Sequence, residues 1–321
     1  IIVTKDMILT DSFEAILYVG TAVVTVVNLI FAVLIFVHGK RNRVEILYAL
    51  IAFFVGLWSL ATLVMSFPGI KFILFRYAAP VHYIAGNSAY LAFFWFSIYY
   101  QRRLIRTLFW PAVITGANLI MLITVAIGPG FIFKLAKNAV ELQDRILFSF
   151  PGYAIFVAVL SSVFIITEIF MIKKYLVSEG VDRIRLKNLI LGTMIAGSLG
   201  VVLNLILPWM NNFYFFGKGP ILVTLFFTGM SFYILMKYKL FNIKIITTEL
   251  FVLLLIVAFF IRLISPEIMS GFLFDAVILF FTLVFGLLLV RSVIGEISDK
   301  ERIAELAESL QHANEDLKRL D

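Results

Sequence analysis

The sequence predicts an all-α fold: a polytopic transmembrane bundle of about nine helices, followed by a cytoplasmic coiled-coil helix. Three observations lead there. The chain is 62% hydrophobic and only 15% charged, with a mean hydropathy of +1.03, whereas soluble domains are roughly half apolar and a quarter charged. Its apolar residues fall into uninterrupted runs near the roughly 20 residues a helix needs to cross hydrocarbon, without the period-two alternation of a barrel strand. After Arg291 the character changes abruptly to charged residues with a heptad-spaced apolar stripe.

The spans follow in order. They run from Phe13 to Val37, Ile46 to Phe67, Tyr77 to Tyr100, Leu108 to Gly128, Pro151 to Ile172, Asn188 to Trp209, Gly219 to Met236, Thr247 to Ile264 and Gly271 to Val290. The chain divides accordingly into an extracellular segment 1–12, a seven-helix module 13–244, a transmembrane hairpin 245–291 and a coiled coil 292–321. No basic stretch or small-residue cleavage site precedes the first span, so no signal peptide is expected. Basic residues set the orientation. The loops holding Lys40, Arg102, Lys173, Lys187, Lys237 and Arg291 carry fifteen Lys and Arg, and the opposite loops carry seven. The richer side belongs in the cytoplasm, which puts the N-terminus outside and the tail inside, as in a multi-pass protein of the cytoplasmic membrane. The net charge of +7 is thus a topology signal. From Arg291 onward five basic residues face eight acidic ones, which excludes a nucleic-acid-binding arm.

In the tail, Ile303, Leu306, Leu310, Ala313, Leu317 and Leu320 recur at alternating spacings of three and four, the a/d seam of a coiled coil. Such a seam needs a second copy, so a homodimer is expected. Val290, Val293 and Ile297 form an earlier stripe out of phase with it.

Two stretches resemble bacterial membrane sensor histidine kinases with an N-terminal seven-helix sensor module. Lys237-Tyr238-Lys239-Leu240-Phe241-Asn242-Ile243-Lys244 is similar to that family's link after its seventh helix. The exit from Arg291-Ser292-Val293-Ile294-Gly295-Glu296-Ile297 through Glu315-Asp316-Leu317-Lys318-Arg319-Leu320-Asp321 is similar to the helix that enters its dimerisation domain. The resemblance implies a homodimer in which ATP and Mg serve a kinase core that phosphorylates a His and passes the phosphoryl group to a response-regulator Asp. That core would lie beyond Asp321, and this chain itself carries no catalytic residue or cofactor. The hairpin 245–291 departs from the plain seven-helix pattern. His312 lies off the seam and is followed by Ala313-Asn314-Glu315-Asp316, unlike the surroundings of a phosphoacceptor His.

Polar groups among apolar runs are the candidate sites, because they are costly there. His82, Tyr83, Asn87 and Ser88, with Asn118, Asn204 and Trp209, form a cluster that can serve as interhelical glue or line a pocket for a small, largely apolar ligand. Arg262 and Asp275 lie at matched depth across the short hairpin and suit a structural ion pair. Glu168, close to Lys173, suits snorkelling or pairing near the cytoplasmic surface. Gly192, Ala196 and Gly200 form a close-packing face. No metal site is expected. The functional expectation is therefore the sensing and transmitting region of a two-component histidine kinase. Its rivals are a secondary transporter or channel, and the same sensor coupled to a diguanylate cyclase. Topology is directly testable. Reporter fusions after Lys174 and Lys244 should read cytoplasmic and one near Lys137 external, and a cytoplasmic signal at Lys137 would overturn the nine-span order.

Overall fold

Long apolar stretches without internal breaks satisfy their backbone groups within themselves only as helices, and helices dominate the structure. This is a computed structural model describing residues 20–33, 35–37, 42–66, 70–100, 109–137 and 146–210, with Val223, Ile303, Leu306 and Ser309. The chain forms two compact units, Ile1–Phe241 and Asn242–Asp321. In the first lie α1 (Gly20–Val37), α2 (Arg43–Met65), α3 (Phe72–Tyr99), α4 (Phe109–Ile127), β1 (Phe133–Leu135), β2 (Ile146–Phe148), α5 (Gly152–Val177) and α6 (Gly180–Trp209). Five of these helices, all but α3, are long and apolar enough to cross a membrane. In the second unit Ile303, Leu306 and Ser309 are helical and exposed. The remaining expected spans, the ion pair Arg262–Asp275, His312 and the seam residues Leu310, Ala313, Leu317 and Leu320 lie outside the described residues.

Each helix has a local cause. Asn42 caps α2, its side-chain oxygen accepting from the Glu45 N–H at 2.9 Å, which satisfies one of the donors a helix start leaves open. Arg43 lies over the Tyr99 ring, 5.2 Å from its centroid, and so ties the start of α2 to the end of α3. α3 is 28 residues long with Pro80 inside it, and shares the most extensive helix–helix interface with α2. It carries the polar residues His82, Asn87 and Ser88 on its buried face, which is why it is the least apolar of the long helices yet central to the packing. α4 is its converse. Only Pro111, Asn118 and Val125, seven residues apart, are buried, while Trp110, Ile120 and Ile127 stand exposed, an apolar surface suited to hydrocarbon.

Two features depart from the sequence reading. The stretch around Lys173 to Lys187, read as a basic loop, is helical apart from Ser178 and Glu179: α5 continues to Val177 and α6 begins at Gly180. Gly180 adopts a positive φ of 57°, open to a residue without Cβ. At about 1.5 Å per residue, the 30 residues of α6 reach about 45 Å, so its charged first turns extend past a hydrocarbon core of about 30 Å. Lys174 is not a solvated loop residue. Its ammonium is buried and donates to the Ile98 and Tyr100 carbonyls at 3.0 and 2.5 Å, filling acceptors that the C-terminus of α3 leaves open.

The second departure is a two-stranded antiparallel hairpin in the α4–α5 connection, pairing Phe133 with Phe148 and Leu135 with Ile146. Ile132, Phe133 and Ile146 are buried in one cluster with Met65, Phe75, Tyr83, Tyr153 and Leu205, so the hairpin plugs one end of the bundle. Phe133 lies against Tyr83 at 4.9 Å between centroids, and Phe148 stacks on Tyr153 at 3.9 Å. Gly152 lets α5 start directly beneath the Phe131 carbonyl, where any Cβ would collide.

Candidate functional site

Helices packed this closely leave a cavity only where small residues face large ones. On α6, Ala196, Gly197 and Gly200 present almost no side chain, and opposite them stand Trp58 of α2, Tyr83, Tyr90 and Phe93 of α3, and Phe156 and Phe164 of α5. Together with His82, Asn87, Thr193, Asn204 and Val223 they line a partly open cavity of about 90 Å3. The spacing between α5 and α6 is set tightly beside it. A Cβ on Gly197 would fall on the Phe164 ring, and the Gly197 carbonyl accepts from the Tyr90 hydroxyl at 2.9 Å.

His82 forms one wall, and its hydrogen bonds define its chemical state. The Trp58 Nε1–H can only donate and meets His82 Nε2 at 3.3 Å. That nitrogen is therefore the acceptor and Nδ1 carries the proton. Nδ1 lies 2.8 Å from Thr62 Oγ1, whose own proton goes to the Trp58 carbonyl at 2.9 Å. His82 is thus a neutral imidazole joining α3 to two positions of α2, a structural bridge with both nitrogens engaged.

Asn204 owes its position to an irregular turn. Pro208 has no N–H to offer the Asn204 carbonyl and its ring crowds that carbonyl, so Val202–Ile206 relaxes to a π-turn. The Tyr153 hydroxyl donates to the Leu205 carbonyl there at 3.0 Å. π-turns are rare and often mark functional positions. The Asn204 amide nitrogen is held by the Gly200 carbonyl at 3.4 Å, and its oxygen is buried with no hydrogen-bond partner among the described residues. Tyr83 Oη and Asn87 Oδ1 share that condition. Native structures rarely leave such atoms unmatched.

The structure therefore brings together four of the seven residues singled out from sequence: His82, Tyr83, Asn87 and Asn204. The other three are elsewhere. Ser88 is buried on α3 but does not line the cavity. Asn118 sits on the narrow buried stripe of α4, donating to the Ile114 carbonyl at 2.9 Å. Trp209 stands half-exposed at the end of α6. The aromatic and small residues of the lining were missed as site residues, although the stripe of Gly192, Ala196 and Gly200 had signalled the face to which two of them belong. Glu168 is neither snorkelling nor paired. It is buried, both carboxyl oxygens lack a partner among the described residues, and the neighbouring Thr193 hydroxyl donates to the Leu189 carbonyl at 2.9 Å. Among the described residues no three His, Asp or Glu side chains gather to hold a metal ion.

No family model matches the chain, and no curated protein or solved structure matches it either.

The bridge makes a quantitative prediction. His82→Leu strands the Trp58 N–H in the core and should destabilise the detergent-solubilised protein by about 1–3 kcal/mol. Trp58→Phe on that background removes the stranded donor, so the double variant should fall short of the sum of the single losses by at least about 0.5 kcal/mol. Strict additivity in thermal unfolding would mean that the two side chains do not interact.

Proposed function

We propose that this chain is the membrane sensing and transmitting region of a bacterial two-component histidine kinase. In this reading nine helices cross the cytoplasmic membrane, with the N-terminus outside and the tail inside, α3 being one of the nine. A small, largely apolar molecule binds in the bundle, and the change passes through the hairpin 245–291 to a parallel coiled coil of two copies. The output is an ATP- and Mg-dependent kinase joined to the tail, which phosphorylates its own His and then a response regulator. The coupling is differential packing: a ligand that fills one arrangement of the helices better than another shifts the population between them.

The cavity is the observation that carries this proposal. It is apolar, ringed by aromatic side chains and supplied with a few convergent polar atoms, as ligand pockets are. No Asp, Glu, Lys or Arg is among its described lining residues, which favours recognition of a neutral molecule over ion-coupled transport. The transporter reading draws its support from the π-turn before Pro208, since transporters place binding sites at broken helices. A diguanylate cyclase joined to the same tail is the alternative output. Support for the transmitting tail comes from the heptad seam, of which Ile303 and Leu306 are helical and 65% and 56% exposed, as knobs awaiting a second copy would be.

The chain has no cysteine, so single introduced thiols report cleanly. Cys at Leu306, Leu310 or Leu317 should form intermolecular disulfides in membranes, and Cys at Glu308 or Glu315 should not. With the output domain attached, one residue inserted after Ile297 turns the downstream helix by about 100° and should change kinase output while membrane insertion is preserved. Equal cross-linking at all five positions, or unchanged output after the insertion, would overturn the transmission role.

A further inference from the structure

The polar atoms left over in the cavity say what its occupant must offer. Asn204 is fixed by geometry: its amide nitrogen is spent on the Gly200 carbonyl, so its buried oxygen, 3% exposed as a residue, is what the cavity receives. That oxygen accepts only. Asn87 and Tyr83 add a second buried acceptor and a hydroxyl that can act either way, again without partners among the described residues. A ligand that brings no donor leaves the Asn204 oxygen desolvated and unmatched, a loss large enough to dominate selectivity in a small site.

Charge and size narrow the class further. With no carboxylate among the described lining residues, a bound ammonium would be a buried, uncompensated charge. The donor is therefore neutral. A volume of about 90 Å3 is on the scale of a single ring, for apolar protein cavities of comparable order take benzene. Rings also suit the walls, since Trp58, Tyr83, Phe156 and Phe164 can meet them edge-to-face.

We infer that the cavity is a binding site for a small neutral aromatic alcohol whose hydroxyl donates to the Asn204 side-chain oxygen. This rests on the sensor reading and specifies its ligand class. Asn204 is the specificity-determining residue, and the aromatic and small residues around it supply shape and affinity without discriminating between a hydroxyl and a methyl group of the same size.

Fluorine NMR of the purified full chain in lipid nanodiscs tests this with three near-isosteric probes: 4-fluorophenol, 4-fluorotoluene and 4-fluoroanisole. The expected result is saturable binding of 4-fluorophenol at least about tenfold tighter than of either other probe, about 1.4 kcal/mol. Empty nanodiscs give the partitioning background. Asn204→Leu should reduce the preference to less than about twofold while still binding 4-fluorotoluene, which also shows that the variant is folded. Ala196→Phe should abolish saturable binding of all three probes. Equal affinity of the wild type for the three probes overturns the donor inference and leaves the cavity standing. So does a tenfold preference that survives in Asn204→Leu. Affinity of 4-fluoroanisole matching that of the phenol overturns it as well, because an ether only accepts. Absence of saturable binding by any probe overturns both the inference and the sensor reading on which it rests.

Discussion

Between apolar helices a donor must find its acceptor on a neighbouring helix or go without, and His82 meets that constraint for two helices at once. Its Nε2 receives the Trp58 indole proton and its Nδ1 gives a proton to Thr62, so one neutral ring holds α3 against two successive turns of α2. Everything around the cavity is built outward from that pair. Tyr83, the next residue along, carries the aromatic contacts to Phe133, Tyr153 and Phe156, and Asn87 follows one turn later. At the far end Lys174 performs the equivalent task for the carbonyls of α3. In each case a polar side chain that is costly to bury alone becomes specific glue once its partners are supplied.

The cavity is the place where that accounting stops closing. Close approach of α6 to α5 depends on Gly197, and the small residues flanking it leave room that the aromatic side chains of α2, α3 and α5 border without filling. Pro208 breaks the regular helix at the same level. Of the groups this disturbs, the Leu205 carbonyl is repaired by Tyr153, while the Asn204 oxygen is left open. A protein interior is otherwise packed to crystal-like density and satisfied in its hydrogen bonds, so a void and three unmatched polar atoms at one location belong together physically. They describe a vacancy of defined shape and polarity.

Much of this was legible in the residues. The helices were, because runs such as Ile46 to Phe67 have no other way to satisfy their backbone in an apolar setting. So was the polar character of α3, since His82, Tyr83 and Asn87 interrupt an otherwise apolar run. The β-hairpin was not legible: three-residue strands around Lys134 and Leu147 show too little alternation, and their stability comes from packing on Tyr83 and Tyr153. The start of α6 was missed for a different reason. Asp182, Arg183, Arg185 and Lys187 look like a solvated loop in composition, yet they form helix readily, with Asp182 and Arg185 paired at 3.2 Å one turn apart. Counting Lys174 as a loop cation failed because a charge tally sees no helix ends. Ser88, Asn118 and Trp209 share the residue types of the site but not its location, which only the rotation of each helix decides. The mirror image holds for Phe164 and Gly197, whose part in the site comes from facing one another.

The state of His82 tests this account most directly. The chain has three histidines, so nitrogen-15 solid-state NMR of imidazole-labelled protein in lipid, compared with a His82→Leu control, isolates its signals. The account predicts, at neutral pH, a neutral ring protonated at Nδ1 with Nε2 shifted as a hydrogen-bond acceptor, and loss of that Nε2 shift in Trp58→Phe. A ring protonated at Nε2, or an imidazolium, would contradict it, because neither can accept the Trp58 proton and the link between α2 and α3 would have to be of another kind.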